Sequence, residues 1–159
     1  MNRRALLAGF SLLLVVAAGF GAWRTISHRA QESCQACARP IHSHSRTVAM
    51  VDGERRWFCC PSCAFSEHSQ SGARVTIVEL TDYLTGAKIA PEEAYIVRES
   101  DVNPCLEHKP ALSEAKQPLH LHFDRCVPSL LAFADQQQAM SFAREHGGRV
   151  VRHLEPALR

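Results

Sequence analysis

Five of the chain's seven cysteines stand in two short segments, Cys34-x2-Cys37 and, 21 residues later, Cys59-Cys60-x2-Cys63. Two thiolates three residues apart in a tight turn point at one ion, and two such pairs brought together make a tetrahedral sulfur site. The fold is therefore expected to carry residues 34–37 against residues 59–63. Disulfides are the competing use. Consecutive Cα atoms lie about 3.8 Å apart, below the roughly 4.4 Å minimum of ordinary bridges, so Cys59 and Cys60 are poor partners for each other. Cys34 with Cys37 can close a small ring, and a redox-active CxxC pair is a third use. On a strand Cys59 and Cys60 point to opposite faces, so only one of them faces the same site as Cys63 unless the strand ends there.

Between the two segments lies a hairpin signal. Arg46 to Val51 and Arg55 to Cys59 are β-prone runs separated by Asp52-Gly53, the dipeptide that most favours a tight two-residue turn. Pro61 suits the first turn of a helix over Pro61–Gln70 that ends near Gly72. Arg74 to Leu80 then alternates as a strand does. The order recurs downstream: Ala94 to Arg98 and Leu130 to Ala134 read as strands, and Asp135 as the N-cap of a helix over Gln136–His146. Ala139, Phe142 and Ala143 share a face of that helix. Gly147-Gly148 ends it, and Arg149 to Leu154 returns as a strand. The expected fold is α+β, two ββαβ-like units behind one N-terminal transmembrane helix. Met50 and Met140 are expected on core faces.

That N-terminal helix is read from Ala5 to Trp23, an uncharged apolar run of 19 residues preceded by Arg3 and Arg4. Its length is close to that needed to cross a hydrocarbon core of about 30 Å. The flanking arginines favour a cytoplasmic N-terminus, with Trp23 at the far interface; the alternative is a signal peptide cut near Gly19-Phe20-Gly21. Either reading sends the rest of the chain out of the cytoplasm, to the periplasm for an inner-membrane protein. There thiols drift to disulfides unless a metal or reductant protects them. Removing Arg3, Arg4 and Arg24 from the 18 basic side chains leaves 15 against 16 acidic ones, so the remainder has no electrostatic footprint for nucleic acid. The expected organisation is an anchor and linker over 1–28, a first unit with the cysteine cluster over 29–82, and a second over 83–159.

An insertion in the second unit, at about 99–128, resists assignment because Pro104, Pro110, Pro118 and Pro128 break any long helix. It holds Cys105, His108, His120, His122 and Cys126. Alternation places His120 and His122 on one strand face near Cys126, which makes these three candidates for a second site. His42 and His44 read as exposed loop, and His68 and His146 as dipole partners at helix C-termini. Soft thiolates suit both Cu(I) and zinc. A transfer site for Cu(I) is expected to be accessible and to need fewer than four thiolates.

Two resemblances rest on these residues. Cys37-x21-Cys59-x3-Cys63 resembles the TRASH motif of heavy-metal trafficking, resistance and sensing. From Cys34 to Glu155 the chain resembles the NosL family of copper-binding accessory proteins of nitrous oxide reductase assembly, through CQACARPIH, WFCCPSCAF, VTIVELTDYLTGAKIAPEEAYIVRES and LLAFADQQQAMSFAREHGGRVVRHLE. The resemblance implies exported Cu(I) carriers built from two related ββαβ units. Where the family carries a methionine in its opening segment and another after a proline in the second half, this chain has CARPIH and Pro104-Cys105.

The resulting expectation is a membrane-anchored Cu(I) chaperone, not an enzyme, delivering copper to a recipient metalloenzyme or copper-site assembly factor. Its expected ligands are Cys34, Cys37 and Cys63, completed by Cys59 or Cys60 and by Cys105 and His108. An extracytoplasmic thiol-disulfide oxidoreductase and a zinc-stabilised interaction module are the alternatives.

Overall fold

The computed structural model describes residues 13–25, 32–106, 124–152 and 154. Residues 13–25 are helical (α1). The order that follows is β1 (Thr47–Val51), β2 (Glu54–Phe58), α2 (Pro61–Ser71), β3 (Val75–Thr81), β4 (Lys88–Ile89), β5 (Tyr95–Arg98), β6 (Leu130–Phe133), α3 (Gln136–His146) and β7 (Arg149–Val151). The architecture is α+β with two antiparallel sheets, ordered β2-β1-β3-β4 and β6-β5-β7.

The first strand of each unit, β1 or β5, lies in the middle, the strand before the helix on one side and the strand after it on the other. The two sets of three strands thus repeat one topology, and β4 is an addition on the outer edge of β3.

Local chemistry explains the elements. Asp52 and Gly53 take φ values of 49° and 88°, positive at both central positions as a type I′ turn requires. The Asp52 carboxylate also accepts from the Arg74 amide at 2.9 Å, tying the hairpin tip to the approach of β3. Helix α2 starts with Pro61 in its first turn and ends at Gly72, whose left-handed φ of 73° lets its amide reach the His68 carbonyl. Helix α3 starts at Asp135, whose side chain accepts from the Gln138 amide. It buries Ala139 and Phe142. Phe142 packs on Tyr83 and Phe133, with ring centroids 5.4 and 5.1 Å apart.

The two sheets are stitched at Asp82, which is 1 % exposed. Its carboxylate accepts from the amides of Leu84, Thr85 and Ala134 and from the Thr85 hydroxyl. The Tyr83 amide donates to the Ala132 carbonyl at 2.8 Å. Burial opposes ionisation of Asp82, but the donors led by the Ala134 amide outweigh it and hold the carboxyl below its ordinary range.

Two expectations need adjusting. Met140 is 48 % exposed: it neighbours Ala139 in sequence, about 100° further around the helix, and so points away from the face that packs. Met50 is only half-buried, because it lies at the hairpin end of β1, where burial falls off past Ala49. Among the described residues no helix is long and apolar enough to cross a membrane, and the apolar run at 5–23 lies partly outside them. Within α1, Leu13, Leu14, Val15, Val16, Phe20 and Trp23 are exposed.

Candidate metal centre

The first CxxC segment folds as a closed knuckle. The Cys34 amide donates to the Arg39 carbonyl at 2.8 Å, and the Ala38 amide to the Cys34 carbonyl at 2.9 Å. Ala38 takes a positive φ of 58°. The knuckle is pinned to β2 by the Gln35 amide on the Trp57 carbonyl at 3.0 Å. Arg125, from the far end of the insertion, donates to the Ala36 carbonyl.

Strand β2 ends at Phe58. Cys59 and Cys60 therefore lie beyond the strict alternation of a strand, and Cys63 follows in the first turn of α2. Of the two neighbours, Cys59 faces Cys63 and also reaches the far side, while Cys60 reaches the far side alone. The sulfurs of Cys34, Cys37, Cys59 and Cys63 form one group, and those of Cys59, Cys60, Cys105 and Cys126 a second, each with all members within 4.8 Å of one another.

Residues outside the cysteines place the second group. The Asn103 side chain accepts from the Cys105 amide at 3.2 Å and donates to the Cys126 carbonyl at 2.9 Å, holding both thiols with one side chain. Asp124 accepts from the Cys126 amide at 2.9 Å and from the Arg39 guanidinium at 2.8 Å. Arg39 also donates to the Cys126 sulfur at 3.3 Å. Ser62 donates to the Pro128 carbonyl, fastening α2 to the exit of the insertion.

Sulfur separations run from 3.4 Å (Cys63 to Cys126) through 3.6 Å (Cys59 to Cys37 and to Cys63) and 3.7 Å (Cys59 to Cys126) to 3.9 Å (Cys59 to Cys60). A disulfide needs about 2.05 Å, and all seven thiols are free. Four sulfurs at about 2.3 Å from a tetrahedral ion lie about 3.8 Å from one another. The cluster already has the spacing of a thiolate cage.

Six of the seven cysteines are buried, and Cys37 alone is half-exposed. Each group contains one thiol held well below the usual range. In the first it is Cys34, through hydrogen bonds led by Cys37; in the second it is Cys126, through hydrogen bonds led by Cys105. Most of the others are pushed up by the thiols beside them. Cys37 rises to about 11, chiefly against Cys126 and Cys34. Cys59 and Cys63 rise further, led by Cys105 and Cys126 respectively. Burial adds to each. A soft cation entering either group would displace protons from the raised thiols.

Of the residues expected from sequence, Cys34, Cys37, Cys59, Cys60, Cys63 and Cys105 come together. Cys126, expected as a second-site candidate with His120 and His122, joins Cys59, Cys60 and Cys105. His108, His120 and His122 lie outside the described residues. His44 bonds the Tyr83 carbonyl at 2.9 Å. His68 bonds the Ala73 carbonyl at 2.7 Å, and His146 pairs with Asp101 at 3.2 Å. Arg39, Asn103 and Asp124 carried no sequence signal, because their partners are distant in the chain.

Two like-built α/β units with a polythiol cluster where they meet define an α+β fold carrying a candidate metal centre. The crystal structure of the copper chaperone NosL from Shewanella denitrificans is similar to it, with a TM-score of 0.50 over 77 % of this chain and 87 % of that one, at 14 % sequence identity. No protein-family signature and no curated protein sequence matches the chain.

Proposed function

We propose that the chain is a Cu(I) carrier: a metallochaperone that binds copper through its buried thiols and passes it to a recipient metalloenzyme or copper-site assembly factor. The observation that carries this reading is the convergence of all seven cysteines, from three separated segments, into one buried cluster open only at Cys37. Soft sulfur donors suit Cu(I), and a half-exposed thiol at the rim allows a recipient's ligand to attack the ion and take it over by exchange. The shared fold with a copper chaperone supports the same reading. The apolar run at 5–23 would anchor the carrier in the inner membrane, with the cluster on the periplasmic side, outside the reducing cytoplasm.

The oxidoreductase alternative is less well supported. An attacking thiol must be both accessible and ionised, yet here the accessible thiol, Cys37, is raised and the lowered one, Cys34, is buried. Zinc suits the same sulfur spacing, and competition between the two ions separates them. The full chain, purified reduced and without oxygen in detergent, is expected to compete for Cu(I) with a strong Cu(I) chelator and to retain it in the presence of Zn(II). Cys34→Ser/Cys37→Ser is expected to weaken that competition at least tenfold. Failure to compete, or an unchanged titration in the double variant, contradicts the proposal.

A further inference from the structure

We infer that the cluster is a two-ion site in which Cys59 is a bridging thiolate, with one ion held by Cys34, Cys37, Cys59 and Cys63 and the other by Cys59, Cys60, Cys105 and Cys126. The inference rests on the metal-binding part of the function proposed above, and on neither copper as the cargo nor transfer to a recipient.

Two four-coordinate ions held by these thiols alone take eight ligand positions from seven cysteines, so one thiolate serves twice. Geometry selects which. Cys59 is the one residue common to both groups. Its sulfur lies 3.6 Å from Cys37 and from Cys63 on one side, and 3.9 Å from Cys60 and 3.7 Å from Cys126 on the other. A thiolate keeps three lone pairs beside its bond to carbon, enough to bind two ions.

Position in the chain makes this possible. Cys59 leaves the end of β2, between the knuckle on one side and the insertion's cysteines on the other. It is fully buried, so no water competes for its second lone pair. The contact between Cys63 and Cys126, at 3.4 Å, closes the two groups against each other.

The two ions would not be equivalent. The outer group includes Cys37, the half-exposed thiol, while every ligand of the inner group is buried. The inner ion also joins the insertion to the first unit, since Cys105 and Cys126 come from one and Cys59 and Cys60 from the other. Arg39, donating to the Cys126 sulfur, offsets part of the excess negative charge there. The inner ion is therefore the retained one and the outer ion the exchangeable one.

The test is 113Cd NMR with native mass spectrometry on the full chain in detergent, loaded with 113Cd(II) and desalted. Two bound ions are expected to survive desalting in the absence of a competing ligand, giving two resonances that split each other through the shared sulfur. Cys34→Ser/Cys37→Ser and Cys105→Ser/Cys126→Ser are each expected to halve the count to one, and Cys59→Ser to abolish the splitting. A single retained ion, three or more, or two resonances without mutual splitting in the unsubstituted chain overturns the inference, whatever the variants do. Coupled cadmium signals from a chain that fails to compete for Cu(I) would overturn the copper reading and uphold the bridge. A chain that competes for Cu(I) but holds one ion does the reverse.

Discussion

Helices α2 and α3 are each 11 residues long, and each follows the edge strand of its sheet, yet they begin in different ways. The first turn of α3 is closed by Asp135, whose carboxylate accepts from the Gln138 amide at 2.8 Å. That of α2 follows Cys60, which makes no side-chain capping bond, and the positive end of the helix lies among thiols. A helix N-terminus favours a nearby thiolate as it favours a carboxylate. One repeated frame thus places a capping carboxylate at this position in one unit and a thiol of the candidate site in the other. The cores diverge likewise: the second unit packs Phe133, Phe142 and Val97, where the first packs Phe58 among cysteines.

If this contrast is correct, acid should act on the two units differently, and most strongly on metal binding. Cys37 is raised to about 11 and several of its neighbours are raised as well, so they are protonated in the metal-free chain at neutral pH. Metal must displace those protons, and lower pH opposes it. Affinity should fall about tenfold per pH unit for every proton displaced. Chelator competition between pH 8 and pH 6 measures this, and a pH-independent affinity would remove the thiols from the site.

A smaller effect is expected where the units join. In Asp82→Asn the amide nitrogen cannot accept from the Ala134 amide, and stability should drop by about 2–3 kcal/mol in urea unfolding. The Asp82 carboxyl is depressed in the folded chain. Its contribution is therefore complete above the ordinary aspartate value of about 4 and is lost as pH falls through the lower folded value. The asparagine variant should lack that acid-sensitive component.

The smallest effects separate the two helix starts. Asp135→Ala should cost about 1 kcal/mol of stability and leave Cu(I) affinity unchanged. Cys60→Ser should keep metal-free stability within about 1 kcal/mol, since serine is a good cap, while lowering Cu(I) affinity. Equal effects of the two substitutions on copper would break the comparison.

Local signals in the sequence carried most of the frame. Asp52-Gly53, Pro61, Gly72 and Asp135 each fix backbone conformation within a few residues, and both helices and the β1–β2 hairpin follow from them. Strand β4 was not legible, because Lys88–Ile89 is too short for any period to register and exists through its pairing with β3. The candidate site was half legible. The CxxC spacing brought Cys34, Cys37 and Cys63 together but paired Cys63 with Cys60, where the first group takes Cys59; Cys126 meets Cys59 across 67 positions, and Arg39 meets Asp124 across 85. Those contacts are made by tertiary folding of the insertion, and Asn103, which places two of the thiols, has no spacing that marks it.

The most direct test of the account is X-ray absorption at the copper edge on the Cu(I)-loaded full chain. An immediate shell of sulfur alone is expected, lost in stages as Cys34 with Cys37, then Cys105 with Cys126, are replaced by serine. A shell containing nitrogen or oxygen in the unsubstituted protein would contradict the claim that the thiol cluster is what holds the metal.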